Sequence, residues 1–291
     1  MRKLLSFVTI LVLSLMLTAP VAADAAAVKI NKTKLTLDEG ATYPLKISGT
    51  SKSVKWSTSN EKVATVSDNG KVKAIKKGTA TITAVVNKNK YLCKVTVREV
   101  FNSSNAIKNI EIDSNDRGKG VISILKNNYS FPVSLSATIV YYDENDQMLG
   151  KSEENNYYFD KGRECVLFFG APYDKNYNDV EYERYEIKLS VSETINKKSN
   201  VSDIKTKSNI GADNIMIEVT NSGEKATDYT EIYVLFYKNG NLEGCSNQYA
   251  DVKEPGSTDY LEFSFPYDQN YNTISIDDYK VFVNCSYYYS W

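Results

Sequence analysis

Apolar and polar residues alternate with a period of two in short runs along most of the chain, the pattern of strands with one face in a core. In the N-terminal third the runs are Val54–Trp56, Ala80–Ile82–Ala84 and Cys93–Val95–Val97. Further on they are Val121–Leu125, Ala137–Tyr142, Val166–Phe169 and Tyr185–Val191, then Ile215–Val219, Ile232–Tyr237, Leu261–Phe265 and Tyr279–Cys285. Gly, Pro, Asn and Asp punctuate these runs at intervals of about 8–12 residues, the rhythm of all-β sandwiches. Long helical periodicity is absent. Asp68-Asn69-Gly70 between Val66 and Val72, and Asn239-Gly240, supply the positive-φ residues of tight hairpin turns. Trp56 is the large aromatic available to fill the space between two N-terminal sheets.

The blocks Trp56-Ser57-Thr58-Ser59-Asn60, Val63-Ala64-Thr65-Val66, Gly70-Lys71-Val72-Lys73-Ala74, Gly78-Thr79-Ala80-Thr81-Ile82-Thr83-Ala84 and Cys93-Lys94-Val95-Thr96-Val97 stand in that order. In this they resemble the group 2 bacterial Ig-like domain. The resemblance covers about a quarter of the chain and implies a small sandwich used by exported bacterial proteins as a spacer or adhesion module.

Beyond residue 100 the chain repeats itself. Pro172-Tyr173-Asp174-Lys175-Asn176-Tyr177-Asn178 recurs as Pro266-Tyr267-Asp268-Gln269-Asn270-Tyr271-Asn272, an offset of 94 that also pairs Gly162 with Gly256, Leu167 with Leu261, Phe169 with Phe263 and Tyr185 with Tyr279. A period near 94 is the length of one small sandwich. Ile124-Leu125-Lys126-Asn127, Val140-Tyr141-Tyr142-Asp143 and Phe159-Asp160-Lys161-Gly162 resemble landmarks of FxLYD-type extracellular sandwiches. The second copy offers Val219-Thr220-Asn221-Ser222, Phe236-Tyr237-Lys238-Asn239-Gly240 and Glu254-Pro255-Gly256 in their place. Lys238 departs from the acidic residue of that pattern, and Pro is missing before Gly162. The expected organisation is a signal peptide over 1–25 followed by three tandem immunoglobulin-like β-sandwiches, 27–99, 104–192 and 200–291, joined by polar linkers near 99–105 and 194–203.

The signal peptide is read from Met1-Arg2-Lys3, the apolar run Leu4 to Leu17, and small residues at Val21-Ala22-Ala23 before Asp24. At 14 residues the run is short for a membrane span, and no later stretch approaches about 18 apolar residues, so no integral membrane segment is expected after cleavage. Tyr287-Tyr288-Tyr289-Ser290-Trp291 carries neither a sortase-type motif nor a hydrophobic tail, which points to free secretion or non-covalent retention at the wall. The net charge of −1 hides a split: residues 28–99 carry 15 Lys or Arg against 5 Asp or Glu, and residues 100–291 carry 18 against 30. The basic third suits contact with anionic wall polymers, or its lysines simply solvate strand faces and blunt sheet edges.

Histidine is absent, which removes Ser-His-Asp and Cys-His catalysis and every His-containing metal site. Gly-rich phosphate loops are absent too. Abundant carboxylates keep a two-carboxylate glycosidase open on composition, but small sandwiches rarely build its cleft, so no enzyme and no cofactor is expected. Asp174-x-Asn176-x-Asn178 and Asp268-x-Asn270-x-Asn272 space oxygen ligands like the start of a calcium loop. The sixth position is Asp179 or Thr273 where a Gly is needed, and the twelfth is Tyr185 or Tyr279 where a bidentate Glu is needed. Tight inter-strand loops are the better reading, with no metal.

Twenty of the 22 tyrosines lie after residue 100. In a strand, neighbours face opposite sides, so the doublets Tyr141-Tyr142 and Tyr157-Tyr158 place one ring in and one out. Outward tyrosines serve sugar-binding and protein-binding faces, or merely pair across strands. Tyr142, Tyr177, Tyr237 and Tyr271 are the candidate ligand-binding residues. Cys93 and Cys285 share the inward phase of Val95 and Val97 and of Val281 and Val283, respectively, and read as buried small hydrophobes. Cys245 and Cys285, the two cysteines of one domain, are the candidate disulfide. The expected function is non-catalytic adhesion or ligand binding outside the cell, with a cell-wall polymer, glycan or surface protein as partner and no nucleic acid. The competing class is a structural spacer in a wall assembly.

Overall fold

The computed structural model describes residues 27–268 and 270–290; the expected signal peptide lies outside them. The chain divides into two compact units, Met1–Val100 and Phe101–Trp291. Among the described residues no helix is long and apolar enough to cross a membrane.

The first unit is built of β1 (Lys29–Ile30), β2 (Lys34–Asp38), β3 (Thr42–Pro44), β4 (Ile47–Ser48), β5 (Lys55–Thr58), β6 (Ala64–Val66), β7 (Lys71–Ala74), β8 (Gly78–Val86) and β9 (Asn89–Arg98). One sheet runs β2-β9-β8-β5, with β2 parallel to β9, and a second runs β3-β7-β6. Between them lie Leu37, Leu45, Val72, Ile82, Cys93, Val95 and Val97, so the period-2 runs through Ala80–Ile82 and Cys93–Val97 put their apolar residues in the core, while Trp56 is half-buried at its edge. Asp68-Asn69-Gly70 closes the β6–β7 hairpin as expected. Gly70 sits at φ 80°, and a Cβ there would lie 2.8 Å from the Trp56 ring and 2.5 Å from the Leu45 carbonyl oxygen, so only glycine lets Trp56 close this edge of the core.

The second unit opens with α1 (Ser103–Lys108), whose N-cap Asn102 accepts from the Asn105 N–H at 2.8 Å. This helix occupies the first expected linker. Then come β10 (Ile110–Asp116), β11 (Gly120–Asn127), β12 (Val133–Tyr142), β13 (Met148–Phe159), β14 (Glu164–Gly170) and β15 (Arg184–Glu193). The second copy contributes β16 (Lys197–Ser199), β17 (Ile204–Ile210), β18 (Asn214–Asn221), β19 (Tyr229–Lys238), β20 (Asn241–Tyr249), β21 (Thr258–Ser264) and β22 (Asp278–Tyr289). Sheets β10-β11-β14 and β13-β12-β15 enclose one core, and sheets β17-β18-β21 and β16-β22-β19-β20 enclose the other. The strand orders of the two copies correspond, as duplication requires.

The two copies do not hang as separate beads. The outer face of β10-β11-β14 packs on the outer face of β16-β22-β19-β20: Ile122 and Val166 meet Tyr233, Leu235 and Phe282. Four sheets are therefore stacked in one body, and β19 is buried on both faces. The offset of 94 explains why the stack ends there. The counterparts of Ile122, Ile124, Val166 and Phe168 are Met216, Glu218, Tyr260 and Glu262, so the same face that is apolar in the first copy is charged and solvated in the second.

A β-bulge sets the details of this interface. On β22, Val283 opposes Ile232 while Cys285 opposes Glu231, leaving Asn284 as the extra residue. Before it, Val281 and Val283 face their own core. After it the phase reverses: Cys285 and Tyr287 join Tyr158 of the first copy, and Ser286 turns inward to Thr230, Thr227 and Asn200. The expectation that Cys285 shares the phase of Val283 fails for this reason; the thiol is buried, but against the neighbouring repeat. Asn284 fills the bulge. Its Oδ1 accepts from the Val166 N–H at 2.6 Å, its Nδ2 donates to Glu231 Oε2 at 2.8 Å, and its carbonyl accepts from Asn156 Nδ2 at 2.8 Å.

Glu154 of β13 faces the same junction. Burial first, and the charge of Glu231 second, push its carboxyl up to about 7. Glu231 is itself raised by burial, against the lowering effect of Asn284 and Asn247. Carboxyls whose folded pKa lies above the unfolded value near 4.3 favour the folded state most when protonated, and that contribution is lost as pH rises through the folded pKa. Stability of the Phe101–Trp291 unit is therefore expected to fall as pH rises from about 4.5 to about 7, opposite to ordinary acid denaturation. Urea melts at pH 5 and pH 8 read this, and Glu154→Gln should flatten the slope; a slope unchanged by that substitution would assign the effect elsewhere.

Candidate functional site

Two loops built alike carry the most exposed large side chains of the second unit. Asp174 Oδ1 accepts from the Asn176 and Asn178 N–H groups at 2.7 and 3.0 Å, and its own N–H donates to the Asn178 carbonyl at 2.9 Å. Asp268 repeats this with Asn270 and Asn272 at 2.8 and 2.9 Å. These bonds, led by those from Asn178 and Asn272, hold both carboxyls below their ordinary range. Each carboxylate is thus the anion inside a cradle of N–H donors, the reverse of a cation cage. Each loop is anchored through its proline: Pro172 packs where a Cβ on Gly150 would lie 3.2 Å from it, and Pro266 likewise at 3.1 Å from Gly244.

The cradle drives the next residue into the left-handed region. Tyr177 has φ 66° and Tyr271 φ 62°, conformations a bulky L-residue rarely adopts. Both rings point to solvent, 84% and 87% exposed, and Tyr177 stacks on Tyr173 with centroids 5.7 Å apart. These two of the four sequence candidates are outward tips. The other two are not. The ring of Tyr142 is half-buried and covered by the Arg184 guanidinium 3.8 Å from its centroid, with Arg184 held by Asp146 and Glu186. Tyr237 is half-buried in the interface cluster with Ile122 and Leu235. Tyr142 is covered by Arg184, its partner on the neighbouring strand β15, and Tyr237 by the packing of the other repeat on β19; period-2 alternation encodes neither.

Pro266, Tyr267, Asp268 and Ile274 of the second loop line a cleft of about 660 Å³ between the repeats. Phe168 and Tyr267 supply its apolar surface, with Asp116, Lys119, Glu181 and the ion pair of Arg117 and Glu243 (2.9 Å) around them. Asp116 is occupied by the Tyr182 hydroxyl at 2.5 Å and the Gly118 N–H at 2.8 Å. Among the described residues no group of acidic or cysteine side chains is placed to hold a metal ion.

Residues 24–97 match the bacterial Ig-like domain (group 2) family. This family is non-catalytic, and its domains occur in bacterial surface and extracellular proteins. A comparison with curated proteins finds no match. Among solved structures, the chain aligns with a Salmonella alpha-2-macroglobulin reacted with methylamine at 9% identity and TM-score 0.18, covering 90% of this chain and 23% of that one. It aligns with an Escherichia coli alpha-2-macroglobulin activated by porcine elastase at 8% identity and TM-score 0.17, covering 91% and 30%. Red sea bream transglutaminase aligns at 10% identity and TM-score 0.18, covering 69% and 36%. The chain spans about a quarter to a third of these proteins, and similarity this low carries no argument about fold or activity.

The cysteine expectation is corrected. All four cysteines are free thiols. Cys245 opposes Leu235 and Cys285 opposes Glu231, on the two strands that flank β19, so they stand two strands and four residues apart. At about 4.8 Å per strand spacing that separation exceeds the roughly 7 Å a disulfide spans. Burial pushes both thiols up to about 12, so neither is a ready nucleophile.

What the sequence reading missed is a tyrosine cluster at the junction of the repeats. Tyr229 stacks on Tyr287 at 5.6 Å and meets Tyr249 and Tyr157 edge-on at 5.3 and 5.6 Å, and Tyr289 meets Tyr287 at 5.8 Å. Lys197 on β16 sets its ammonium 4.5 Å from the Tyr287 centroid, 5.1 Å from Tyr157 and 5.8 Å from Tyr289. The excess of tyrosine was visible; its convergence depends on the Asn284 bulge and on the packing of β13 beside β22.

Proposed function

We propose that this is a non-catalytic binding protein of the bacterial exterior, in which the Ig-like domain is a spacer and the duplicated unit presents tyrosines to a glycan or surface protein. The support is the pair of tips. A tyrosine at φ near +60° costs about 1–2 kcal/mol relative to an ordinary conformation; the loop's own hydrogen bonds offset that strain, and the conformation they hold stands both rings in solvent. Rigid, exposed aromatic rings with a polar edge give large contact area at low entropic cost when they meet a sugar face or a protein surface. Export by the N-terminal segment belongs to the same proposal.

The substitution that separates binding from stability is Tyr177→Gly together with Tyr271→Gly. Glycine relieves the left-handed strain, so each change is expected to leave stability unchanged or raise it by up to about 1 kcal/mol in urea melts. The same double variant should lose ligand capture on a glycan array and in a pull-down from surface extracts. Retained capture would leave a structural spacer as the better reading.

A further inference from the structure

We infer that the tyrosine ledge around Lys197 is a second binding site, for a carboxylate-bearing pyranose such as a uronic or sialic acid residue. It is separate from the loop tips. The sheet itself does not need these rings: in strand register the places of Tyr229, Tyr249 and Tyr287 are taken in the first copy by Ser134, Asn155 and Ser192, which form the same sheet. The Asn284 bulge interrupts β22, whereas β15 pairs with β12 without a register shift. That bulge is what turns Tyr287 toward the first repeat, and bulges that re-aim side chains gather at functional positions. The second copy has thus diverged from the first in one concerted way, toward an aromatic surface.

The exposed part of the ledge is Tyr249, Tyr289 and Tyr157, 63%, 42% and 41% accessible, with Lys197 half-buried between two of them. Rings of this kind stack on the C–H faces of pyranoses, while their hydroxyls take the edges. Lys197 supplies the charge selection. Among the described residues it has no carboxylate within ion-pair distance, and the neighbouring acids are engaged elsewhere: Asp228 accepts from the Tyr289 N–H at 3.0 Å, and Glu231 is held by Asn247 and Asn284. Ring faces offset a cation only in part, so a half-desolvated ammonium with no carboxylate beside it among the described residues favours an anionic guest. A carboxylate on a sugar ring meets both requirements at once.

Calorimetric titration of the full chain with 3′-sialyllactose, with a glucuronate-containing tetrasaccharide and with lactose tests this. One carboxylated glycan should bind at least about tenfold more tightly than lactose, and which one does so separates the sialic from the uronic source. Lys197→Gln should bring that affinity down to the lactose level, and Tyr249→Asn, which installs the residue used in the first copy, should weaken it about tenfold or more. Circular dichroism melts confirm that the variants fold. Binding at the ledge should survive Tyr177→Gly with Tyr271→Gly; if that double variant removes it, the glycan sits at the tips and the ledge assignment is wrong. Equal binding of lactose, no effect of Lys197→Gln, or no binding of either acid at millimolar concentration would likewise overturn it.

Discussion

Asn127→Ala is expected to destabilise the Phe101–Trp291 unit by about 3–5 kcal/mol. Asn127 is wholly buried at the end of β11. Its Nδ2 donates to the Phe159 carbonyl at 2.9 Å and the Phe131 carbonyl at 3.1 Å, and its Oδ1 accepts from the Tyr129 N–H at 2.9 Å. One side chain thus satisfies three backbone groups where β12 begins and β13 ends. Truncation strands all three away from water, at about 1–3 kcal/mol each before relaxation. Asn127→Asp should be no rescue, because a carboxylate cannot donate to two carbonyls and its charge would be buried. Asn221 plays the same part in the second repeat, accepting from the Gly223 N–H at 3.1 Å and donating to the Lys225 carbonyl at 3.0 Å, but its contact with the Lys253 carbonyl is stretched to 3.5 Å. Asn221→Ala should therefore cost less, about 2–3 kcal/mol. Urea midpoints with unchanged m-values measure both, and equal or reversed costs would refute the geometric ranking.

Asn284→Ala should cost about 3–5 kcal/mol at pH 8 and distinctly less at pH 5. The side chain joins the repeats by bonding to Val166 of one and Glu231 of the other. Without it the Val166 N–H is unpaired, and the buried Glu231 carboxylate keeps only Asn247, at 3.2 Å. Burial already raises the Glu231 carboxyl, and Asn284 is the stronger of the two groups that lower it, so the variant's pKa must move further up. The group then binds a proton on folding over a wider range, and that proton is freely available only at low pH. The loss of stability must accordingly grow as pH rises through neutrality. A pH-independent loss would show that Glu231 is not the group left unsatisfied.

The period-2 runs determined every strand they covered in both units, because alternate burial is a local consequence of backbone geometry. The Asp-Asn-Gly turn, the duplication, and the tight loops at Asp174 and Asp268 were equally legible, since turn chemistry acts through residues next to one another, whereas the sequence did not separate the exposed Tyr177 and Tyr271 from the half-buried Tyr142 and Tyr237. Strands β1 to β4, β10, β13, β16, β17 and β20 were not read from the pattern; β13 and β20 in particular carry polar residues on partly buried faces. What alternation cannot say is what lies beyond the outer face of a sheet. Packing of the two copies buried Tyr237 and Leu235 from the outside, and the same stacking left Tyr260 and Glu262 in water. A single extra residue on β22 reversed the phase of everything after it, which carried Cys285 away from its expected core and brought Tyr287 to Lys197. Strand identity and turn positions were thus determined by the sequence itself, whereas the interface, the free thiols and the tyrosine ledge were decided by contacts between residues far apart in the chain, whose free energy exists only once both sheets are formed.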